Sequence, residues 1–316
     1  MTCHNCQSKC KRDGRHRNGL QRFRCTQCRR AFTEDHPKPL DEMRVPLDRA
    51  LNVLGLLLEG MSVRSVERVT GIHRDTILKL LVLAGERCQR LMDGKLVGLP
   101  VKDVQVDEIW GYVGKKEGHK TAYEQSFAEI GDAYCFIAVE RHTKLVLTHY
   151  LGKRTAPSTE HFVAKLAQAT SDYPYQLTTD GFSPYRRAVK RQLAGRVNFA
   201  QLVKVYARPQ GAEADHQYSP PKVVKAVPFR VQGFPHREQI CTSHVERQNL
   251  SIRMGMRRMT RLTNAFSKKW ANLEAAYSLW FAYYNWCRKH QTLGETPAMR
   301  QGLTDHQWTV AELVGI

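Results

Sequence analysis

The sequence has 316 residues, enough for a sizeable hydrophobic core and for two or three domains. Its 49 Lys and Arg residues outnumber its 30 Asp and Glu residues, and this net charge of +19 makes nucleic acid the expected partner. No apolar run approaches the roughly 18 residues that span a bilayer, and the start lacks the apolar stretch of a secretory signal, so we expect a cytoplasmic protein with no membrane association.

Two C-x-x-C pairs stand out among the first residues of the chain. Each pair aims two thiolates at one point, so two pairs complete the tetrahedron of a structural Zn²⁺ site, and a cytoplasmic protein favours metal over disulfides. Residues 1–36 are therefore predicted to form a zinc ribbon. His4 and Cys10 lie close enough in sequence to be substitute ligands. The four predicted zinc ligands are Cys3, Cys6, Cys25 and Cys28.

A strongly basic segment that contains Phe23 separates the two cysteine pairs. Basic side chains around an aromatic ring suit contact with phosphates, although a solvated charged loop is nearly as good an interpretation for any single residue. The DNA-binding candidates in this segment are Arg15, Arg17, Arg22 and Arg24.

A Pro-containing linker, residues 37–46, precedes a helical region at residues 47–98. Apolar residues there recur at helical spacing, with breaks at Gly60 and Gly71, and Ser62 is a possible helix cap. Two helices joined by a glycine turn are typical of a helix-turn-helix domain, although an ordinary helix pair gives the same pattern. The polar residues predicted to face the major groove are His73, Arg74, Thr76 and Lys79.

From residue 99 onward the pattern changes to strands. Three strands come first, two of them in a hairpin, followed by helix, strand, helix, strand and a helical tail. This is the element order of a ribonuclease H-like mixed sheet with flanking helices, so the whole chain is predicted to be an α/β protein. A Pro-rich polar segment at about 205–240 reads as an ordered loop or small insertion.

Three acids fall at informative places in this order: Asp107 on the first strand, Asp180 at the end of the fourth, and Glu246 at the start of the helix after the fifth. Carboxylates brought together repel one another unless cations neutralise them, and two divalent ions would suit phosphodiester chemistry. Each acid also has a simpler interpretation. Asp107 fits a strand end, Asp180 a turn, and Glu246 a capping box with Ser243.

Other acids compete for the third place. Glu213, Asp215 and Glu238 lie in the predicted insertion, but no helix with a polar face follows them. Glu246 instead shares a helix face with Asn249 at i+3 and Arg253 at i+7, so it is the better candidate.

Several segments together resemble the DDE transposases of bacterial insertion sequences, specifically the insertion sequence one family, over nearly the whole chain. They are the ribbon cysteines, the helix-turn-helix, and "VDEIWGYVG", "LTTDGFSPY", "TSHVERQNLSIRMGMRRMTRLTNAFSKKW" and "YYNWCRKHQTLGETPAM". The resemblance implies that Asp107, Asp180 and Glu246 are the catalytic triad and hold two Mg²⁺ or Mn²⁺ ions. It further implies metal-dependent 3′-end nicking at transposon ends and strand transfer into target DNA, without ATP.

The same resemblance predicts the partners and the surroundings of the triad. The partners are double-stranded DNA, both terminal inverted repeats and target, and further copies of the chain in a homodimer or larger synaptic complex at the bacterial nucleoid. We expect Asn249 and Arg253 to flank the metals or grip the scissile phosphate. A solvated basic helix is the alternative interpretation for the residues expected to extend a DNA track: Arg257, Arg258, Arg261 and Lys268.

A second function of another class fits the same residues. A domesticated transposase would keep the zinc ribbon and the helix-turn-helix and act as a sequence-specific DNA-binding regulator without catalysis. Acids kept at all three positions favour the active enzyme, because their mutual repulsion has no use without metal.

Overall fold

A computed structural model describes residues 1–16, 19–34, 40, 43, 45–207 and 223–315. These residues form two compact units, Met1–Arg44 and Val45–Ile316. The chain therefore divides near the predicted linker at 37–46, most of which lies outside the described residues. No division occurs at residue 98, where the sequence suggested a boundary between the helix-turn-helix and the sheet.

The first unit is a small antiparallel sheet of three strands, β1 (Cys10–Arg15), β2 (Gln21–Cys25) and β3 (Ala31–Thr33). Phe23 and Phe32 stack across it with ring centroids 6.2 Å apart. This one aromatic pair is a small core, so the segment depends on other cross-links for its stability.

The second unit begins with three helices, α1 (Leu47–Leu58), α2 (Val63–Thr70) and α3 (Arg74–Lys95). Ser62 accepts a hydrogen bond from the backbone N–H of Ser65 and caps α2, which ends at Gly71 in the left-handed region with φ +67°. The predicted helices and glycine turn are thus present.

Helix α3 joins these helices and the sheet in one compact unit. It packs along a later helix so tightly that a Cβ at Gly85 would lie 2.4 Å from the carbonyl oxygen of Ala275. Its buried face, including Leu81, Cys88 and Met92, belongs to the same hydrophobic core as the strands.

The sheet of the second unit has six strands in the order β6-β5-β4-β7-β8-β9. Strands β4, β7 and β8 run parallel, and the other neighbours are antiparallel. This arrangement confirms the predicted ribonuclease H-like mixed sheet. The strands are β4 (Asp103–Val113), β5 (Gly131–Glu140), β6 (Val146–Gly152), β7 (Tyr175–Asp180), β8 (Val197–Tyr206) and β9 (Val223–Gln232).

Strand β9 lies inside the segment that the sequence analysis took for an ordered loop. It pairs antiparallel with β8, from Phe199 opposite Gln232 to Tyr206 opposite Val223. Pro228 did not prevent this pairing, because β9 is an edge strand and a proline there need not donate to a neighbour. Residues 208–222, with Glu213 and Asp215, lie outside the described residues.

Helices flank the sheet, and the longest of them after α3 fills the core. They are α4 (Ala156–Ala169), α5 (Pro184–Gln192), α6 (Ser243–Gly255), α7 (Trp270–Trp286) and the short α8 (Pro297–Arg300) and α9 (Val310–Leu313). Helix α7 belongs to the predicted helical tail and is buried on nearly all sides between α3 and the sheet. Within the described residues, no helix has the length and apolar character to cross a membrane.

Candidate active site

Two predicted acids lie close together on two central strands of the sheet. Asp107 lies in β4 and Asp180 is the last residue of β7, and these strands are parallel neighbours. A third acid, Glu108, joins them, so that one carboxylate oxygen from each of the three lies within 4.8 Å of the others. The sequence analysis overlooked Glu108, although the acid pair in "VDEI" was its signal.

Burial and neighbouring acids disfavour the charged forms of Asp107 and Glu108. Burial raises the pKa of Asp107 from 3.8 to about 7, and the nearby charges of Glu108 and Asp180 add to this effect. Burial also raises the pKa of Glu108. Asn249 donates a hydrogen bond of 2.8 Å from Nδ2 to Oδ2 of Asp107. This amide donates a hydrogen bond but supplies no positive charge, so the like charges around Asp107 remain.

Asp180 is fixed through both of its oxygens. Its Oδ1 accepts the backbone N–H of Phe182 at 2.9 Å, which is the turn role that the sequence suggested. Its Oδ2 accepts a hydrogen bond of 3.0 Å from the guanidinium of Arg154. The neighbouring Gly181 is required, because a Cβ there would lie 2.9 Å from the side chain of Val203.

Glu246 lines the same cleft as Asp107 and Asp180, a cavity of about 640 Å³, but stands outside the tight group of three. Its carboxylate accepts hydrogen bonds from Lys204 on β8 and from the hydroxyl of Thr242. The predicted capping box with Ser243 is wrong. Helix α6 begins at Ser243 after Thr242, and no side chain of its own segment caps it.

The cap of α6 comes from β4 instead. Gln105 is fully buried, and its Oε1 accepts the backbone N–H groups of His244 at 2.9 Å and Val245 at 3.3 Å. Its Nε2 lies 3.0 Å from Sγ of Cys241. Gln105 stands two residues before Asp107 on the same strand, so one strand carries an acid and sets the start of the helix that carries another.

The two predicted supporting residues differ in their surroundings. Asn249 contacts Asp107 directly. Arg253 donates to the backbone carbonyl oxygens of Met259 at 2.9 Å and Trp110 at 3.3 Å, so it ties the end of α6 to β4 and to the following turn. The guanidinium of Arg253 is thus engaged in internal bonds, away from the carboxylates.

The residues predicted to extend a DNA track also differ in their exposure. Arg257, Arg261 and Lys268 are exposed. Arg258 is half-buried and donates to Oγ of Ser267 at 2.8 Å and to the carbonyl oxygen of Asn272 at 2.9 Å. We therefore omit Arg258 from the surface available to DNA.

At the start of α3, His73, Arg74 and Lys79 are exposed and Thr76 is half-buried. The ring of His73 accepts the backbone N–H of Asp75 and so caps α3, a role that the sequence analysis did not foresee. The guanidinium of Arg74 projects from the first turn of this helix.

The four predicted zinc ligands converge in the first unit, with one sulfur from each of Cys3, Cys6, Cys25 and Cys28 inside a 4.8 Å group. Gln7 and Arg29, which follow the two pairs, both adopt positive φ, 58° and 57°, so the two turns have matching geometry. Backbone N–H groups of Asn5 and Gln27 point at sulfur from 3.4 Å, as they do in turns that favour thiolates. The donor set fits Zn²⁺.

The alternative ligands stand apart from this group. His4 packs edge-on against Phe32, and Cys10 donates to the carbonyl oxygen of Ser8. Among the arginines of this unit, Arg22 and Arg24 both pair with Asp13, and Arg15 is exposed with a bond to the carbonyl oxygen of Gly19. Arg17 lies outside the described residues.

The family comparison covers the part of the second unit from the loop before β5 to the turn after α6. Residues 129–266 match the family model DDE_Tnp_IS240, described as a DDE domain. This part of the chain is therefore similar to a DDE domain. The match to the DDE domain includes Asp180 and Glu246 but begins after Asp107. Because the model is named for IS240, the narrower resemblance to the insertion sequence one family stays a prediction.

Solved structures similar to the chain are also transposases. A piggyBac transposase synaptic complex with hairpin DNA is 11% identical, with 89% of this chain and 72% of that chain covered and a TM-score of 0.37. The Mos1 strand transfer complex is 13% identical, with 78% of each chain covered and a TM-score of 0.22. No curated protein matches the sequence. The DDE domain therefore rests on the family match and on the observed sheet order.

Proposed function

We propose that this protein is a DNA transposase that binds the ends of its element, nicks their 3′ ends by metal-dependent hydrolysis and transfers the freed strands into target DNA. The observation that carries the proposal is the acid cluster in the cleft of the DDE domain, where Asp107, Asp180 and Glu246 face the same space. The function rests on this site, because the same fold serves many activities.

The donor set of the cleft fits divalent metal ions. Asp107 has a raised pKa because burial and neighbouring acids disfavour its charge, and hard cations such as Mg²⁺ or Mn²⁺ relieve such repulsion and prefer carboxylate oxygens. When bound, two such ions lower the pKa of the attacking hydroxyl or water and neutralise the leaving oxygen of a phosphodiester.

Glu246 suits the third ligand position better than Glu108 does. The side chain of Glu108 is 3% exposed, and its two oxygens are engaged by Arg154 and Tyr185. The side chain of Glu246 is 43% exposed and faces the cleft from α6. An oxygen that can be reached from the cleft is needed for an ion that also contacts DNA.

The other residues of the site hold these acids in place. The hydrogen bond from Asn249 on α6 fixes the position of one carboxylate oxygen of Asp107. Gln105 fixes the start of α6, so Glu246 enters the cleft at a defined point. Both roles are positional, because neither side chain carries a charge that changes during phosphoryl chemistry.

DNA contact is assigned to three surfaces on the basis of charge and exposure. They are the zinc ribbon with one structural Zn²⁺, the first turn of α3 with His73 and Arg74, and the exposed Arg257, Arg261 and Lys268 beyond α6. Transposition joins two element ends to one target, so a homodimer or larger synaptic complex is part of the proposal.

The test uses purified protein, Mg²⁺ or Mn²⁺, and duplex DNA that carries the ends of the element. Nicked and joined strands are expected from the wild type and not from Asp180→Asn. The matched control is Asp172→Asn, which removes the charge of an acid whose side chain is 95% exposed. Equal activity of Asp180→Asn and wild type would reject the site. Specific binding without cleavage in any divalent ion would instead favour the regulator.

A further inference from the structure

Two cations of the chain already contact the proposed metal ligands. Arg154 donates from Nη2 to Oδ2 of Asp180 at 3.0 Å, and Lys204 donates to Glu246. Both side chains line the cleft. Each cation therefore neutralises an acid that a divalent ion would have to share.

Arg154 is held in this position by more than Asp180. Its Nε donates to Oε2 of Glu108 at 2.9 Å, and its guanidinium lies 4.0 Å from the ring centroid of Phe182. Glu108 is in turn held by the hydroxyl of the fully buried Tyr185. Nε of the guanidinium is thus anchored to a buried acid, while Nη2 of the same group contacts Asp180.

A metal ion and Arg154 would share the carboxylate of Asp180. Its Oδ1 accepts the backbone N–H of Phe182, and its Oδ2 accepts from Nη2 of Arg154. A divalent cation and a guanidinium on the same carboxylate repel each other strongly, because they lie within a few ångströms in a partly buried cleft.

From this geometry we propose that Arg154 is a displaceable counter-cation, with Glu108 as its positioning residue. Without metal, Arg154 holds Asp180 in place. With a metal ion bound, Nη2 would leave Asp180 while Nε stays on Glu108, and the freed Nη2 would bind a phosphate of the DNA in the cleft. Metal ions and DNA consequently bind with positive cooperativity, and the coupling is reciprocal. This inference rests on the proposed metal site.

The experiment measures Mn²⁺ binding by calorimetry in zinc-loaded full-length protein, and duplex DNA binding with and without Ca²⁺. Arg154→Gln is expected to bind Mn²⁺ about tenfold more tightly than wild type without DNA, a usual size for coupling between sites. The same variant should lose most of the Ca²⁺-induced gain in DNA affinity. Arg154→Lys keeps the charge, so its Mn²⁺ affinity should stay near that of wild type.

Two further variants complete the design. Arg187→Gln removes an arginine whose side chain is 83% exposed and should change neither measurement. Glu108→Gln keeps the shape beside Tyr185 but removes the charge that anchors Arg154, so it should reduce the Ca²⁺-induced gain in DNA affinity. This variant provides the test if Arg154→Gln does not fold.

The outcomes separate the two proposals. If wild type and Asp180→Asn bind Mn²⁺ alike, the metal site is wrong and the proposed function falls with it. If only Asp180→Asn loses Mn²⁺ but Arg154→Gln binds it no more tightly than wild type, the metal site stands and the displaceable cation is rejected. A full Ca²⁺-induced gain in Glu108→Gln would likewise reject it.

Discussion

The four-cysteine cluster and the acid cleft both gather metal-binding side chains, but they gather them in different ways. The cysteines come from two short turns, and no arginine or lysine contacts their sulfur atoms among the contacts described for that unit. The acids come from strands and a helix far apart in sequence, and Arg154 and Lys204 already contact them. A metal in the first site replaces a missing core, whereas a metal in the second relieves stored repulsion.

This comparison predicts the largest effect at the cysteines. Cys25→Ser should unfold the first unit, because structural zinc contributes roughly 10–16 kcal/mol of apparent binding free energy to such small folds. Bound zinc and protection from proteolysis should both be lost in residues 1–34. All five Trp residues lie in the second unit, so unfolding followed by Trp fluorescence should remain as in wild type.

The control for this prediction is Cys10→Ser. Cys10 faces Cys25 across β1 and β2, but its sulfur lies outside the group of four. Zinc content should therefore stay at one per chain. Loss of zinc from this variant would show that Cys10 is a ligand and that the assigned set is wrong.

The zinc ribbon should depend on its metal. The acid cleft should instead depend on a contact between segments that are distant in sequence. Gln105→Ala leaves the N–H groups of His244 and Val245 without their acceptor, at a cost of about 1–3 kcal/mol in the free energy of unfolding. Strand cleavage should fall further than this loss of stability explains, because the helix that carries Glu246 is no longer fixed to β4.

A matched control exists on the neighbouring strand. Gln176 is also buried and accepts a backbone N–H, that of His236, at 2.8 Å, and His236 precedes α6 in the chain. Gln176→Ala should cost similar stability with little loss of cleavage at permissive temperature. Equal losses of cleavage in the two variants would contradict the positioning role of Gln105.

The burial of Asp107 beside other acids should appear as a dependence of stability on pH. The pKa of Asp107 is about 7 in the folded protein and near 3.8 when unfolded, so the folded state keeps a proton that the unfolded state has lost. Stability from this group therefore falls as pH rises between these values, by up to about 1.4 kcal/mol per pH unit. Asp107→Asn should remove that slope.

Urea unfolding followed by Trp fluorescence at pH 5 and pH 7, without added divalent ion, measures this effect. Saturating Mg²⁺ should flatten the wild-type slope, because the ion binds the ionised acid. A wild-type slope that matches Asp107→Asn in the absence of metal would show that burial and neighbouring acids do not raise the pKa of Asp107 in the folded protein.

The smallest effect concerns the two arginines that follow α6. Arg257→Ala removes an exposed charge, so the slope of log K for DNA against log salt should become less negative by about 0.9, with unchanged stability. Arg258→Ala should instead lower the free energy of unfolding by about 1.5–3 kcal/mol, because it removes charged hydrogen bonds to Ser267 and Asn272. If Arg258→Ala changed the salt dependence and Arg257→Ala lowered the stability, Arg258 would be the residue that contacts DNA and Arg257 the structural one.

The residues that sequence reasoning missed share one property. Arg154, Lys204, Gln105 and Glu108 act through partners that lie between 26 and 139 positions away in the chain. Sequence spacing indicates neighbours along a helix or strand, but it does not indicate which strand edge receives a distant side chain. Arg253 and Arg258 show the converse, because a polar helix face predicted their charge and left open whether it points to DNA or to backbone carbonyls.

By itself the sequence determined the strand and helix order, the cysteine pairs and the positions of Asp107, Asp180 and Glu246, because periodicity and short spacing are local properties. The tertiary structure decided the remainder. It placed β9 at the edge of the sheet, supplied the cap of α6 from β4, and set Arg154 between Glu108 and Asp180. These contacts follow from the packing of distant segments, so only the folded chain reveals which cations the acids already hold.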